Sequence, residues 1–193
     1  MKVNHGLYGQ GNGKKTKIMG YVTLKALAKS DLKDILTNIN DKKEAFFHLL
    51  ESPIDRPDVY VLVMELLSKI CESSFDQLKL NLLLEICNSQ FITNLGNYLM
   101  DLPYTERNSK NIKYWKNEIE FWKNFIRFCE CIIIMSPQTA LNKCRSLIEG
   151  SSKLCLEELI TRHNFVLPEE CNLKLNELRE TLRAHEKEKN KVN

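Results

Sequence analysis

Apolar positions in this chain recur at steps of three and four over most of its length, the period of an α-helix. The densest stretch is PDVYVLVMELLSKICES, Pro57 to Ser73. Val59 to Met64 are uninterruptedly apolar there, and Leu66, Leu67, Ile70 and Cys71 extend the pattern. A helix apolar round most of its circumference has no face to give to water and needs cover on several sides. The spacing therefore predicts a central strut with other helices stacked about it.

Met19, Tyr21, Leu24 and Leu27 predict a short first helix. Leu32, Ile35, Leu36 and Ile39 predict a second, capped by Asp31, and Phe46, Phe47, Leu49 and Leu50 a third, capped by Asp41. Pro57 falls where a helix accepts proline, in its first turn, beside Asp58. Ser74 and Gln77 have capping-box spacing before an apolar side of Leu80, Leu83, Leu84 and Cys87, and a further helix is expected over Gln90 to Met100. The longest element, Lys110 to Met135, has two apolar stripes. Ile112, Trp115, Ile119, Trp122, Ile126, Cys129 and Ile133 make one; Tyr114, Phe121, Phe125, Phe128, Ile132 and Met135 make the other. Two stripes require two sets of neighbours. Ser136–Pro137 ends that helix and opens PQTALNKCRSLIE, with Gly150 as its expected terminator. Ser152 is the expected cap of Leu154 to His163. Pro168, Glu169 and Glu170 open a last helix with Leu173, Leu175, Leu178 and Leu182 buried, and the charged run from Arg183 is expected to fray or to lead into a following segment.

The fold class predicted is all-α: about ten helices in an armadillo- or HEAT-like solenoid, with an irregular helical bundle as the alternative. Residues 1–18 form a Gly- and Lys-rich tail expected to be disordered, 19–183 the helical domain, and 184–193 a charged C-terminal extension. Composition agrees: seven glycines and five prolines in 193 residues leave little for the turns of a many-stranded sheet. Net charge is only +3, from 28 basic and 25 acidic residues, so no polyanionic partner is demanded. No apolar run approaches the roughly 20 residues of a membrane span, and no secretory signal opens the chain. Seven cysteines without regular short spacing read as buried reduced thiols of an intracellular protein.

Reactive constellations fail on spacing. GQGNGKKT (Gly9 to Thr16) has Tyr8 where a phosphate-binding loop needs glycine, and Lys15 where Ser or Thr should follow Lys14. Cys129 and Cys131 are one residue apart, no CxxC pair exists, and His163 and Cys171 lack a second knuckle, so no metal is expected. His5, His48, His163 and His185 stand beside no nucleophile. No catalytic residue and no cofactor is assigned: the chain reads as a non-enzyme. The remaining candidate is a basic arc on the long helix, Lys113, Lys116, Lys123 and Arg127, which could contact RNA phosphates, although Glu120 and Glu130 dilute it.

MGYVTLKALAKSDLKDILT, followed by FFHLLESPIDRPDVYVLVMELLSKIC, resembles the amino-terminal armadillo-like region of NF-X-type zinc-finger-containing helicases, large superfamily-one RNA helicases. The similar features are Gly20–Tyr21, then Leu24 and Leu27, an acidic helix start, and an Arg-Pro-Asp turn (Arg56 to Asp58) into a helix ending Leu67 to Cys71. The likeness covers residues 19 to 87 and thins beyond them. It implies an α-solenoid linked to RNA silencing, antiviral RNA pathways or ribonucleoprotein granules, in cytoplasm or nucleus. It further implies a surface for a protein partner, with RNA as the alternative ligand, or a scaffold for a helicase core. Helicase motifs and the zinc-finger cysteine array are missing from this sequence, so ATPase, unwinding and zinc roles do not carry over.

Overall fold

In the computed structural model, the structure describes Ile35, Thr37, Ile39, Asp41 and residues 43–51, 57–72, 77–101 and 112–192. The expected tail 1–18, the first helix and the turn at 52–56 lie outside these. Among the described residues there are helices and no strands. They are α1 (Lys43–Glu51), α2 (Pro57–Glu72), α3 (Gln77–Asn88), α4 (Gln90–Asp101), α5 (Ile112–Met135), α6 (Pro137–Thr139), two π-helical stretches, π1 (Ala140–Cys144) and π2 (Ser146–Ser151), then α7 (Ser152–His163) and α8 (Glu169–Val192).

The helix expected as a central strut is buried along one broad face, while Val61, Leu62, Glu65 and Lys69 on its other side are half-buried. In α2, Tyr60, Val63, Met64, Leu66, Leu67, Ser68 and Ile70 are buried, and its most extensive partner is α5. Both stripes of α5 are buried in its described part: Trp122, Ile126, Cys129 and Ile133 on one, Phe121, Phe125, Phe128 and Ile132 on the other. Aromatic rings run from α2 through α4 into α5. Tyr60 stacks on Tyr98 at 4.3 Å, Tyr98 meets Phe121 edge-on at 5.9 Å, and Phe121 meets Trp122 edge-on at 5.4 Å. Offset and edge-on pairs of this kind add to what burial alone contributes.

Polar groups close the helix ends. The Tyr60 hydroxyl donates to the Asn94 carbonyl at 3.2 Å, and Asn94 Nδ2 donates to the Glu51 carbonyl at 3.1 Å, one of the carbonyls α1 leaves without a helical partner. Ser89 Oγ accepts from the Phe91 N–H at 3.2 Å and so caps α4. Lys79 is 4% exposed, and its Nζ donates to the Cys71 carbonyl at 2.6 Å in the last turn of α2. Burial of a lysine demands such a partner.

Several expectations are corrected. Asp41 is itself helical, not a flanking cap. The buried face of α3 is Lys79, Leu82, Leu83, Ile86 and Cys87, a strict three–four spacing, while Leu80 and Leu84 are half-buried. Leu173 is exposed because Cys171, Leu175, Leu178 and Leu182 hold the inward phase of α8. The charged run from Arg183 continues α8 as helix to Val192, and Glu186 within it accepts from Arg145.

Gly150 does not terminate a helix. The chain stays helical from Pro137 to His163, through the two wide-turn stretches, and ends where Asn164 enters the left-handed region with φ 50°. Asn is one of the few side chains that tolerate that region. The wide turn is supported from α8, where Arg179 Nε donates to the Ile148 carbonyl at 3.0 Å and Arg183 donates to Glu149 at 3.3 Å, and Glu149 also accepts from Arg145, four residues before it, at 2.8 Å. These guanidinium contacts, Arg145 first, hold the Glu149 carboxyl below its usual range. Across from π2, Gly96 of α4 sits so close that an added Cβ would lie 3.3 Å from Leu147 Cδ2.

A Cβ at Gly150 would meet nothing within 4 Å, and φ there is not positive. Gly150→Ala is therefore expected to raise stability by about 0.5–1 kcal/mol, since alanine lowers the entropy of the unfolded chain and favours helix. Urea unfolding followed by circular dichroism checks this; a lower midpoint would show that the wide turn needs glycine.

Candidate functional site

Three places on the described surface hold concentrated polar or reactive groups. The first is the polar arc of α5. At 100° per residue, Lys113, Lys116, Lys123 and Arg127 fall within about 80° of one another, so the backbone brings the four predicted positions to one face. The side chains of Lys113 and Lys116 lie outside the described residues. Lys123 is exposed and lies 3.5 Å from Glu120 Oε1 one turn away. Arg127 reaches across to α2, where Nη1 donates to Ser68 Oγ at 2.9 Å and to the Glu72 carboxylate. Its charge is thus matched by Glu72, and its fork ties the two central helices. A phosphate would have to displace that contact, although an exposed pair of this kind contributes at most about 1 kcal/mol.

The second is an open cleft of about 440 Å³ between α1 and the end of α3, lined by Lys43, Glu44, Phe47, Glu51, Glu85, Asn88 and Ser89. Lys43 and Glu85 pair at 2.6 Å, and the Ser89 hydroxyl donates to the Ile86 carbonyl at 2.7 Å. The lining leaves two further carboxylates and no imidazole or thiol. It can hold a polar or cationic group but offers no nucleophile with a base beside it.

The third was not legible in the sequence. Cys71 of α2, Cys129 and Cys131 of α5, Cys87 of α3 and Cys144 of π1 come together where those elements meet, all as free thiols. Cys87 and Cys144 hydrogen-bond to one another, which with burial pushes the Cys87 thiol up, and burial pushes up Cys129. The other pair is half-exposed. Cys71 donates to Cys131; this and burial push Cys71 up. The same hydrogen bond, assisted by the Lys79 charge, brings Cys131 down to about 7. Met135 Sδ lies 3.2 Å from Cys131 Sγ. Read linearly, Cys71 is a small apolar residue of a buried helix, and the fifty-nine residues between it and Cys131 carry no sign of its neighbour. Among the described residues no group of three or more His, Cys, Asp or Glu side chains is arranged to hold a metal, and no helix is long and apolar enough to cross a membrane.

Fold and surface together define an all-helical protein with a closed aromatic centre and charged helix faces. No family model matches the chain, and neither a curated protein nor a solved structure is found similar to it.

Proposed function

We propose that the chain is a non-catalytic helical interaction domain of armadillo-like solenoid type that binds a protein partner, as the resemblance to the amino-terminal region of NF-X-type RNA helicases implies. The observation that carries the choice of protein over RNA is the pairing of Arg127 with Glu72 and Ser68, together with Lys123 beside Glu120. Half of the basic arc is thereby matched by acids of the same chain. Large apolar side chains meanwhile stand in water on the C-terminal half, among them Ile134 at 79% and Val166 at 78% exposure. Apolar groups at a surface suit a protein partner, which removes them from water.

The test is quantitative binding by the intact chain. Ile134→Asp and Val166→Asp, on a fold verified by circular dichroism, should weaken a saturable protein complex at least tenfold. Charge reversal at Lys113, Lys116, Lys123 and Arg127 should leave it within about twofold, as expected for residues at or beyond the rim. If those reversals instead abolish salt-dependent retention of single-stranded RNA on a filter, the chain is an RNA-binding module and the protein reading falls.

A further inference from the structure

We propose that Cys71 and Cys131 are a redox-active dithiol, in which a hydroperoxide oxidises Cys131 and Cys71 resolves the product into a disulfide joining α2 to α5. The two thiols sit on the pair of helices with the most extensive contact in the described structure. They hydrogen-bond to each other, and both are partly open to solvent. Cys129, Cys87, Cys144, Cys155 and Cys171 are buried. The cation is built in: Lys79 is held by the carbonyl of Cys71 itself, at 2.6 Å.

The charged and titratable groups acting on the pair come from three helices. They are Cys71 from α2, Lys79 and Cys87 from α3, and Cys129 from α5. Of these, Lys79 and the Cys71 S–H stabilise a thiolate at Cys131, and the other two thiols stay protonated. The pair gives up its first proton near neutral pH and its second far higher, because one proton is shared between the sulfurs. A thiolate, not a thiol, attacks a peroxide.

The chemistry balances with a hydroperoxide as the named oxidant. The Cys131 thiolate attacks the outer peroxide oxygen, an S–O bond forms, the O–O bond breaks, and the alkoxide or hydroxide leaves and takes a proton from solvent to become alcohol or water. Cys131 has then lost two electrons and is a sulfenic acid. The Cys71 sulfur attacks it, the S–S bond forms, the S–O bond breaks, and the departing hydroxide takes the Cys71 proton as water. A dithiol reductant exchanges with the disulfide, leaves as its own disulfide and returns Cys71 and Cys131 to thiols.

The experiment uses the full chain, fully reduced. The pH profile of haloacetamide labelling at Cys131, read by peptide mass spectrometry, should have its midpoint near 7. In Cys71→Ala the midpoint should move up towards the value of about 8.5 of a free thiol. One equivalent of hydrogen peroxide at pH 7 should yield a Cys71–Cys131 linked peptide lighter by two hydrogens. In Cys71→Ala, dimedone should instead trap Cys131, and in Cys131→Ala neither link nor trap should form at Cys71. A labelling midpoint of about 8.5 in the unaltered chain overturns the proposal. So does a peroxide product linking Cys87 to Cys144, or no linked peptide while Cys131 goes on to sulfinic acid in the presence of Cys71.

Discussion

Leu66→Asp should leave no folded domain. Leu66 is fully buried in α2, the helix most extensively packed against α5, and Val63, Leu67 and Ile70 of the same helix are also buried. A carboxylate placed there loses its water and meets no cation, at a cost of several kcal/mol, against a total stability of about 5–15 kcal/mol. Protonation lets the group enter neutral, but leaves a buried hydroxyl and carbonyl without partners and removes the packing of the lost isobutyl group. The measurement is far-UV circular dichroism with thermal melting, beside Glu65→Gln as a control at the neighbouring half-exposed position, which should shift stability by no more than roughly 0.5 kcal/mol. A cooperative melt of Leu66→Asp near the parent's temperature would mean that α2 is not wrapped.

Trp122→Ala should cost about 3–5 kcal/mol, the range for removing a large aromatic side chain from a filled interior. Trp122 is fully buried and meets Phe121 at 5.4 Å and Phe125 at 5.6 Å, both edge-on. Its Nε1 is buried and has no hydrogen-bond partner. An orphaned donor of that kind costs about 1–3 kcal/mol. Trp122→Phe therefore loses apolar contact but also removes the penalty, and should cost only about 1 kcal/mol. Urea unfolding of the three proteins, followed by circular dichroism, gives the comparison. Equal losses for Phe and Ala would show that the indole N–H is satisfied after all.

Sequence periodicity located what local physics controls. The two stripes of α5, the boundary at Ser136–Pro137 and the start of α8 after Pro168 follow from side-chain spacing and proline geometry. It failed where tertiary contacts override local preference. Gly150 looks like a terminator because glycine commonly ends helices, yet here the helix continues, with α8 arginines bonding the carbonyl and carboxylate of the wide turn. Lys79 looks like a solvated residue among leucines, yet it is drawn inward to the end of α2. The basic arc was visible as spacing, but Glu72, which matches Arg127, lies fifty-five residues away. The thiol pair was hidden for the same reason: its halves are contributed by helices that meet only in three dimensions.

The wide turns between Ala140 and Ser151 also fix where this chain can tolerate a change in length. Each holds one residue more than a regular turn needs, so losing a single residue there can be absorbed by tightening the spiral. The same loss within α5 would swing every later side chain of that helix by about 100°, carrying Phe121 and Phe128 into water and Lys123 and Arg127 into the buried places of Trp122 and Ile126. Natural insertions and deletions are thus expected to gather at 140–151 and to spare 119–135.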